Sequence, residues 1–302
     1  MIKERLVIQN PHDTCKKLED FIGTSMEKSH KAGCILGISG GLDSALVAYL
    51  AVRAVGKENV MGIFMPERDT SKKSYNDARM LADVLGISFK EIDIKPILRK
   101  IGVYGLEPPA FYVPRSFQEK YVYNKNKKLS RDNEPTFLRM LKGGEGDREL
   151  QKHIAYINTK HRIRMTYLYY YGEINNYMVL GTANKSEYMT GFFVKYGDAA
   201  ADIQPLLPFY KTQIIELSKA IMVPDSIINK APAPDLMPGM GDEDVLGISY
   251  ESLDMAIAGL EWGLDEEKIA EEARCDISQI AYIKRLMELS SPLRELPKSP
   301  QI

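Results

Sequence analysis

Short apolar runs alternate with segments of helical period along the first third of the chain. Residues 34–38 (CILGI) and 60–65 (VMGIFM) are apolar throughout, as in strands buried on both faces, and 88–94 (SFKEIDI) alternates like a third strand. Between them, 43–55 and 71–85 carry apolar residues at helical spacing and stop at Gly56 and Gly86, glycine being the residue that closes helices in left-handed backbone. Ahead of these, 13–31 sets Cys15, Leu18, Phe21, Ile22 and Met26 on a helical stripe among charges, an amphipathic entry helix. Repeated strand–helix units predict an α/β fold, a doubly wound, mainly parallel sheet flanked by helices.

The alternation fails between 95 and 158, where paired prolines, a GGEG stretch at 143–146 and many lysines and tyrosines show no sustained period. An insertion or lid at about 101–152 is expected within a single domain spanning 1–302. The sheet resumes with a helix over 158–171, opened by Arg162 and Arg164, and a short strand at 177–180. A helix follows over 211–220, then an irregular proline- and glycine-rich segment at 229–247. The C-terminal part, about 250–290, reads as helical, with caps at Ser252 and Asp265, and SSPLRELPKSPQI as a mobile tail.

Composition narrows the classes. A formal net charge of −1 over 302 residues supplies no global field to gather a polyanion, so nucleic acid is disfavoured as a partner. A local exception lies within the insertion, where 115–152 holds ten Lys and Arg against six Asp and Glu. Cys15, Cys34 and Cys275 are scattered, without CxxC spacing, and the N-terminus MIKERLVIQN lacks an apolar signal segment. No run of 18 apolar residues occurs, so a cytoplasmic, non-membrane protein is expected. His12, His30, His153 and His161 lack ligand spacing and read as surface or helix residues.

The chemistry is concentrated in Ser39–Ser44 (SGGLDS), between a buried strand and a helix N-terminus. Backbone N–H groups of a glycine-rich turn and the positive end of a helix form an anion cradle. Gly40 and Gly41 admit close approach of a phosphate, and the Ser39 and Ser44 hydroxyls donate to its oxygens. Asp43 would repel that phosphate unless a cation lay between them, which points to Mg²⁺. The GK[ST] ending of a Walker A loop is absent. A glycine turn with a serine cap is the bland alternative.

SGGxDS after a strand is the signature of the ATP pyrophosphatases. Together with HRIRM at 161–165, GTANKSEYMTGFFVKYGDAAAD at 181–202, Pro205, Lys211 and DEDVLGISY at 242–250, the sequence closely resembles the ammonia-dependent NAD synthetases. The resemblance covers most of 30–260 and implies an adenine nucleotide alpha hydrolase-like fold. It implies ATP and Mg²⁺ as cofactors and ATP-dependent amidation of deamido-NAD through an acyl-adenylate, with release of AMP and pyrophosphate. By residue, it implies ATP contacts at Ser39, Gly40, Gly41, Asp43, Ser44, Thr182 and Lys211, and metal held by Asp43 and Glu187. The dinucleotide acid falls to Arg162, Tyr169, Phe192, Lys195, Asp198 and Asp202, with Asp43, Lys211 and Asp198 in catalytic roles. A homodimer with shared sites is implied, since the helix carrying Tyr169 lies at a subunit interface in the family.

Bridging two anions, ATP and an acid, requires converging cations, which gives Lys211 and the metal their place. Taken singly, Glu187 also reads as a helix-start residue, Lys211 as a solvated lysine and Phe192 as a core aromatic. Three departures from the family stand out: Ala233 where a hydroxyl is usual, no C-terminal His-Lys pair (Arg294 lies in that region), and the basic insertion. They motivate an alternative, a related amide-forming ligase acting on a different carboxylate. A tRNA-modifying pyrophosphatase and a non-catalytic nucleotide sensor fit less well. Ammonia, free or from a separate glutaminase subunit, is the expected nitrogen source, as no room for a glutaminase domain precedes residue 34.

Overall fold

The computed structural model describes residues 1–107, 113–131, 134–232 and 238–300. Ala233 lies outside the described residues.

The chain opens with α1 (Ile2–Leu6) and α2 (Pro11–Lys28), followed by β1 (Gly33–Gly37), α3 (Leu42–Val55), β2 (Val60–Phe64), α4 (Lys72–Leu85) and β3 (Ser88–Glu91). Next come α5 (Lys95–Lys100), α6 (Arg115–Leu129), α7 (Thr136–Leu141), the long α8 (Arg148–Asn175) and β4 (Tyr177–Val179). The remainder is helical: α9 (Lys185–Thr190), α10 (Lys211–Ala220), α11 (Asp225–Ile228), α12 (Asp242–Leu246), α13 (Tyr250–Glu261), α14 (Glu266–Ala273) and α15 (Ile277–Arg294).

The four strands form one parallel sheet in the order β3-β2-β1-β4. Alternate residues of a strand face opposite sides, and the core divides accordingly. Cys34, Leu36, Val60, Phe64 and Met178 join the core beneath α3, backed by α2 and α10, whereas Ile35, Ile63 and Val179 join Tyr156 and Ile157 of α8. Helices on both faces of a parallel sheet realise the doubly wound α/β expectation. The chain moves outward from β1 to β2 and β3, then returns to add β4 on the other side of β1. That reversal opens a crevice beyond the carboxyl end of β1, where such folds bind ligands.

A third core lies outside the sheet. Leu253, Ile257, Ile269, Ile280 and Leu286 of α13–α15 bury Ile2 and Leu6 of α1 and Phe137 and Leu138 of α7. The N-terminal residues are thus a helix docked on the C-terminal ones. Several boundaries also differ from expectation. Helix α8 starts ten residues before 158, capped by the Asp147 side chain, which accepts from the N–H groups of Glu149 and Leu150. The cap of α13 is Ser249, which accepts from the Ser252 N–H, so Ser252 lies inside the first turn. The tail is ordered further than expected, with α15 running to Arg294 and Ser290 fully buried.

The described residues of the segment expected to be an insertion are mostly helical and tied down. Arg115 donates to the Asp69 carbonyl at 3.0 Å, and Glu107 pairs with Lys125 and with His153 at 3.0 Å. Behind it, Lys160 is fully buried with its ammonium 3.0 Å from Glu67 and 2.6 Å from Asp69. This pair fastens α8 to the loop after β2.

Candidate active site

A cavity of about 570 Å³ occupies the crevice beyond β1 and β4. Its floor is the turn from β1 into α3. Gly40 has φ +75°, and a Cβ there would lie 2.5 Å from the Ser74 carbonyl oxygen, so only glycine fits. The Ser39 and Ser44 hydroxyls lie 3.0 Å apart, Ser44 donates to the Gly41 carbonyl at 3.0 Å, and Ser39 accepts from the Gly41 N–H at 3.2 Å. Gly41, the N-cap of α3, offers no side-chain cap to the helix, so the first N–H groups remain free for an anion. Lys230 holds the turn from outside, donating to the Gly40 carbonyl at 2.9 Å and pairing with Asp77 at 2.8 Å.

On the wall above the turn, GTANKSE closes β4 and starts α9. Asn184 is its N-cap and Glu187 its third residue, and they form a reciprocal capping box with bonds of 3.0 and 3.2 Å. The spare Asn184 amide donates to Asp43 at 2.9 Å. The other Asp43 oxygen pairs with Lys211, the first residue of α10, which is nearly fully buried. Lys211 is held in turn by its backbone N–H, which donates to Ser186 at 2.9 Å. Ser186 and the Thr212 N–H both bond to the buried Asp254 of α13, so the C-terminal helices support the lysine.

The electrostatics are those of three carboxylates around one ammonium. Burial and the Asp43 charge push Glu187 well above the usual carboxylate range. Burial raises Asp242 to about 6 despite Lys211 and the Tyr250 hydroxyl that donates to it at 3.1 Å. Burial opposes the charge on Lys211, yet the attraction of Asp43, Glu187 and Asp242 outweighs it and raises the ammonium above its ordinary value. Asp242 Oδ1 is buried with no hydrogen-bond partner among the described residues. An orphaned carboxylate oxygen beside a second carboxylate pushed above its ordinary value by burial and a neighbouring charge is a donor set short of positive charge. A divalent cation fits that need. Mg²⁺ is usually shared between one or two carboxylates, water and phosphate, and Asp43 and Glu187 beside the phosphate turn could supply such carboxylates.

The opposite wall carries Phe192, Gly197, Asp198, His161 and Arg164, with Phe137 and Met140 contributed by α7. Phe137 meets Phe192 edge-on, ring centroids 5.5 Å apart. Of the sequence-expected residues, the structure brings Ser39, Gly41, Asp43, Ser44, Thr182, Glu187, Phe192, Asp198 and Lys211 to one cavity, with Gly40 shaping its floor. Arg162, Tyr169, Lys195 and Asp202 do not line it. Arg162 donates to the Lys195 carbonyl at 3.3 Å, and Tyr169 to Asp202 at 3.3 Å. Lys195 reaches the carbonyls of Pro292 and Glu295 at 3.1 and 2.8 Å, pinning the end of α15. Arg294 is likewise committed, donating to the Met189 carbonyl at 2.9 Å and to Ser290 at 2.7 Å. Asp242, Lys230 and His161 are cavity residues that the sequence did not single out. The first lay inside a quoted motif without a role, and His161, read as a surface or helix residue, faces the cavity.

The profile of the NAD synthase family matches residues 14–110 and 117–297. The chain belongs to the NAD synthase family. It is 42% identical over 279 residues to the NH₃-dependent NAD⁺ synthetase of Thermotoga neapolitana, covering 92% of this chain and 93% of that one. The NH₃-dependent NAD⁺ synthetase of Methanocaldococcus jannaschii is 35% identical over 294 residues, 97% of this chain and 98% of the relative. Among solved structures, the NH₃-dependent NAD synthetase of Campylobacter jejuni superposes with a TM-score of 0.70 at 28% identity, over 97% of this chain and all of that one. An NMN synthetase from Francisella tularensis superposes with a TM-score of 0.71 at 26% identity, over 98% of this chain and all of that one. The NAD synthase fold, with its pyrophosphate loop after β1, is therefore the frame in which these side chains act.

Proposed function

We propose that this chain amidates deamido-NAD with ammonia at the expense of ATP, forming an acyl-adenylate and releasing pyrophosphate and AMP. The observation that carries the reading is the single cavity joining a phosphate turn, an acid-ringed lysine and an aromatic-lined wall in a chain that matches NAD synthases over almost its whole length. In this reading the triphosphate lies on Ser39–Ser44 with Thr182 at its side, and the nicotinate ring stacks on Phe192. The carboxylate of the acid attacks the α-phosphorus, and Lys211 stabilises the charge that develops on its oxygens. Asp43 and Glu187, with Asp242 beside them, would hold Mg²⁺, which neutralises phosphate charge when bound. Ammonia then attacks the activated carbonyl beside Asp198, and AMP departs.

Arg162 with Lys195 and Tyr169 with Asp202 form two bonded pairs that do not line the cavity, each with its first member on α8, the helix whose outer face carries Tyr170 and Ile174, 56% and 62% exposed. We assign this face to a homodimer contact, with the four residues completing the dinucleotide site at the junction. The insertion is assigned a lid role through Phe137 and Met140. The cytoplasm is the compartment that suits three unpaired cysteines. No described helix is long and apolar enough to cross a membrane.

A second reading is favoured by two observations, the similarity to an NMN synthetase and the position of those four residues outside the cavity. The acid would then be the mononucleotide, which needs no outer subsite. Pyrophosphate release measured with Mg-ATP and ammonium, with deamido-NAD or nicotinate mononucleotide as acceptor, separates the two.

A further inference from the structure

We propose that His161 is the proton acceptor of the amide-forming half-reaction, oriented for it by Asp198. The inference rests on the amidation reading above and adds a residue to it. Nitrogen reaches the site at neutral pH almost entirely as ammonium, which has no lone pair with which to attack a carbonyl. A group beside the acyl-adenylate must therefore take a proton before the carbon–nitrogen bond can form.

His161 stands in the fourth turn of α8 on the cavity wall, in the same space as Phe192, Asp198 and the phosphate turn. Its Nδ1 is 3.5 Å from an Asp198 carboxylate oxygen, an approach that a bound substrate can tighten. The other Asp198 oxygen accepts from the Val194 N–H at 2.7 Å, which fixes the carboxylate. The ring is seated closely: a Cβ on Gly197 would lie 2.8 Å from the His161 Cβ. This is the base-and-orienting-carboxylate geometry in which one ring nitrogen is held and the other can accept a proton.

Three charged groups bear on the ring, Asp198 across from it and Arg164 and Lys160 on its own helix. Burial lowers the imidazole below its ordinary value, with the two cations adding to that and Asp198 opposing it. The neutral, proton-accepting form is thereby favoured at neutral pH, while Asp198 stabilises the imidazolium once it forms.

Ammonium gives one proton to His161 and becomes ammonia. Its lone pair forms the C–N bond as the carbonyl π pair moves to oxygen. The tetrahedral adduct collapses with rupture of the C–O bond to phosphate, AMP leaving with that electron pair. The second nitrogen proton passes to solvent. No oxidant, reductant or further reactant is required.

The test compares His161→Gln and His161→Ala with the unaltered protein, scoring amide formation with ammonium and with hydroxylamine, an amine already neutral at pH 7. Acceptor-dependent exchange of labelled pyrophosphate into ATP reports adenylation and folding in the same samples. With ammonium, amide formation is expected to fall by about 100-fold, at least tenfold more than exchange falls. The deficit should shrink with hydroxylamine and with rising pH, as free ammonia accumulates. Equal losses for the two amines in both variants, or an unchanged pH profile, would overturn the proposal. If the unaltered protein exchanges pyrophosphate but the variants aminate normally, only the His161 assignment fails. Absence of acceptor-dependent exchange in the unaltered protein overturns the amidation reading and this one with it.

Discussion

Among the described residues Lys211 is the ammonium that Asp43, Glu187 and Asp242 all face, and it is buried, so its removal leaves their charges uncompensated at the turn proposed to bind phosphate. Lys211→Met is expected to reduce adenylation by about 10²–10³-fold, the cost of losing one preorganised charge at a developing oxyanion, as read by pyrophosphate exchange. Gly40→Ala is expected to act differently. It forces a Cβ against the Ser74 carbonyl at a backbone angle that disfavours one, which strains the turn by about 1–3 kcal/mol, raising KM for ATP and lowering Tm. Much of this is legible in sequence, because SGGLDS and GTANKSE are contiguous stretches whose local geometry fixes their own side chains. Asp242 and Lys230 are not. They reach the site across long chain separations, Lys230 meeting Gly40 from 190 positions away, and a lysine or aspartate on an irregular segment carries no period to announce it. His161 is hidden for a related reason, since its partner Asp198 comes from a loop that only the completed sheet brings alongside α8.

At the scale of elements, α7 makes the insertion part of the site. Phe137 lies edge-on against Phe192 and joins the core formed by α13–α15, so this segment couples the aromatic wall to the C-terminal helices. If α7 keeps water from the acyl-adenylate, Phe137→Ala should release more pyrophosphate than amide formed, measured as the ratio of the two products. A ratio that stays at one would remove the lid role. The loop after β2 is fastened by the buried Lys160 between Glu67 and Asp69, and Lys160→Met removes the buried ammonium they share, leaving Glu67 the Tyr104 hydroxyl and Asp69 the Arg68 guanidinium. A loss of about 3–5 kcal/mol of unfolding free energy is expected, measurable by denaturant titration. The strands and central helices follow from short apolar runs closed by glycine. The insertion's helices do not, since α6 is polar around most of its circumference and is fixed by ion pairs rather than by an apolar stripe. The tail misleads for a similar reason. Its polar sequence looks solvated, yet Ser290 and Arg294 spend their hydrogen bonds on the carbonyls that end α9.

For the molecule as a whole, the sheet order places one crevice at the reversal beside β1, and the residues expected to meet ATP and the dinucleotide acid converge there except for the outer residues Arg162, Tyr169, Lys195 and Asp202. A second subunit against the outer face of α8 would complete that group. Ile174→Glu, at a 62% exposed position on that face, should shift the protein from dimer to monomer in sedimentation and weaken binding of a dinucleotide acid more than of a mononucleotide acid. A monomeric unaltered protein would count against the shared site. In the proposed function, one cavity couples ATP cleavage to amidation of deamido-NAD. Its most direct test is simultaneous measurement of pyrophosphate and NAD from Mg-ATP, ammonium and deamido-NAD. Equal yields of the two products, absent without the dinucleotide acid, are the predicted result. Pyrophosphate release that ignores deamido-NAD but responds to another carboxylic acid would contradict it.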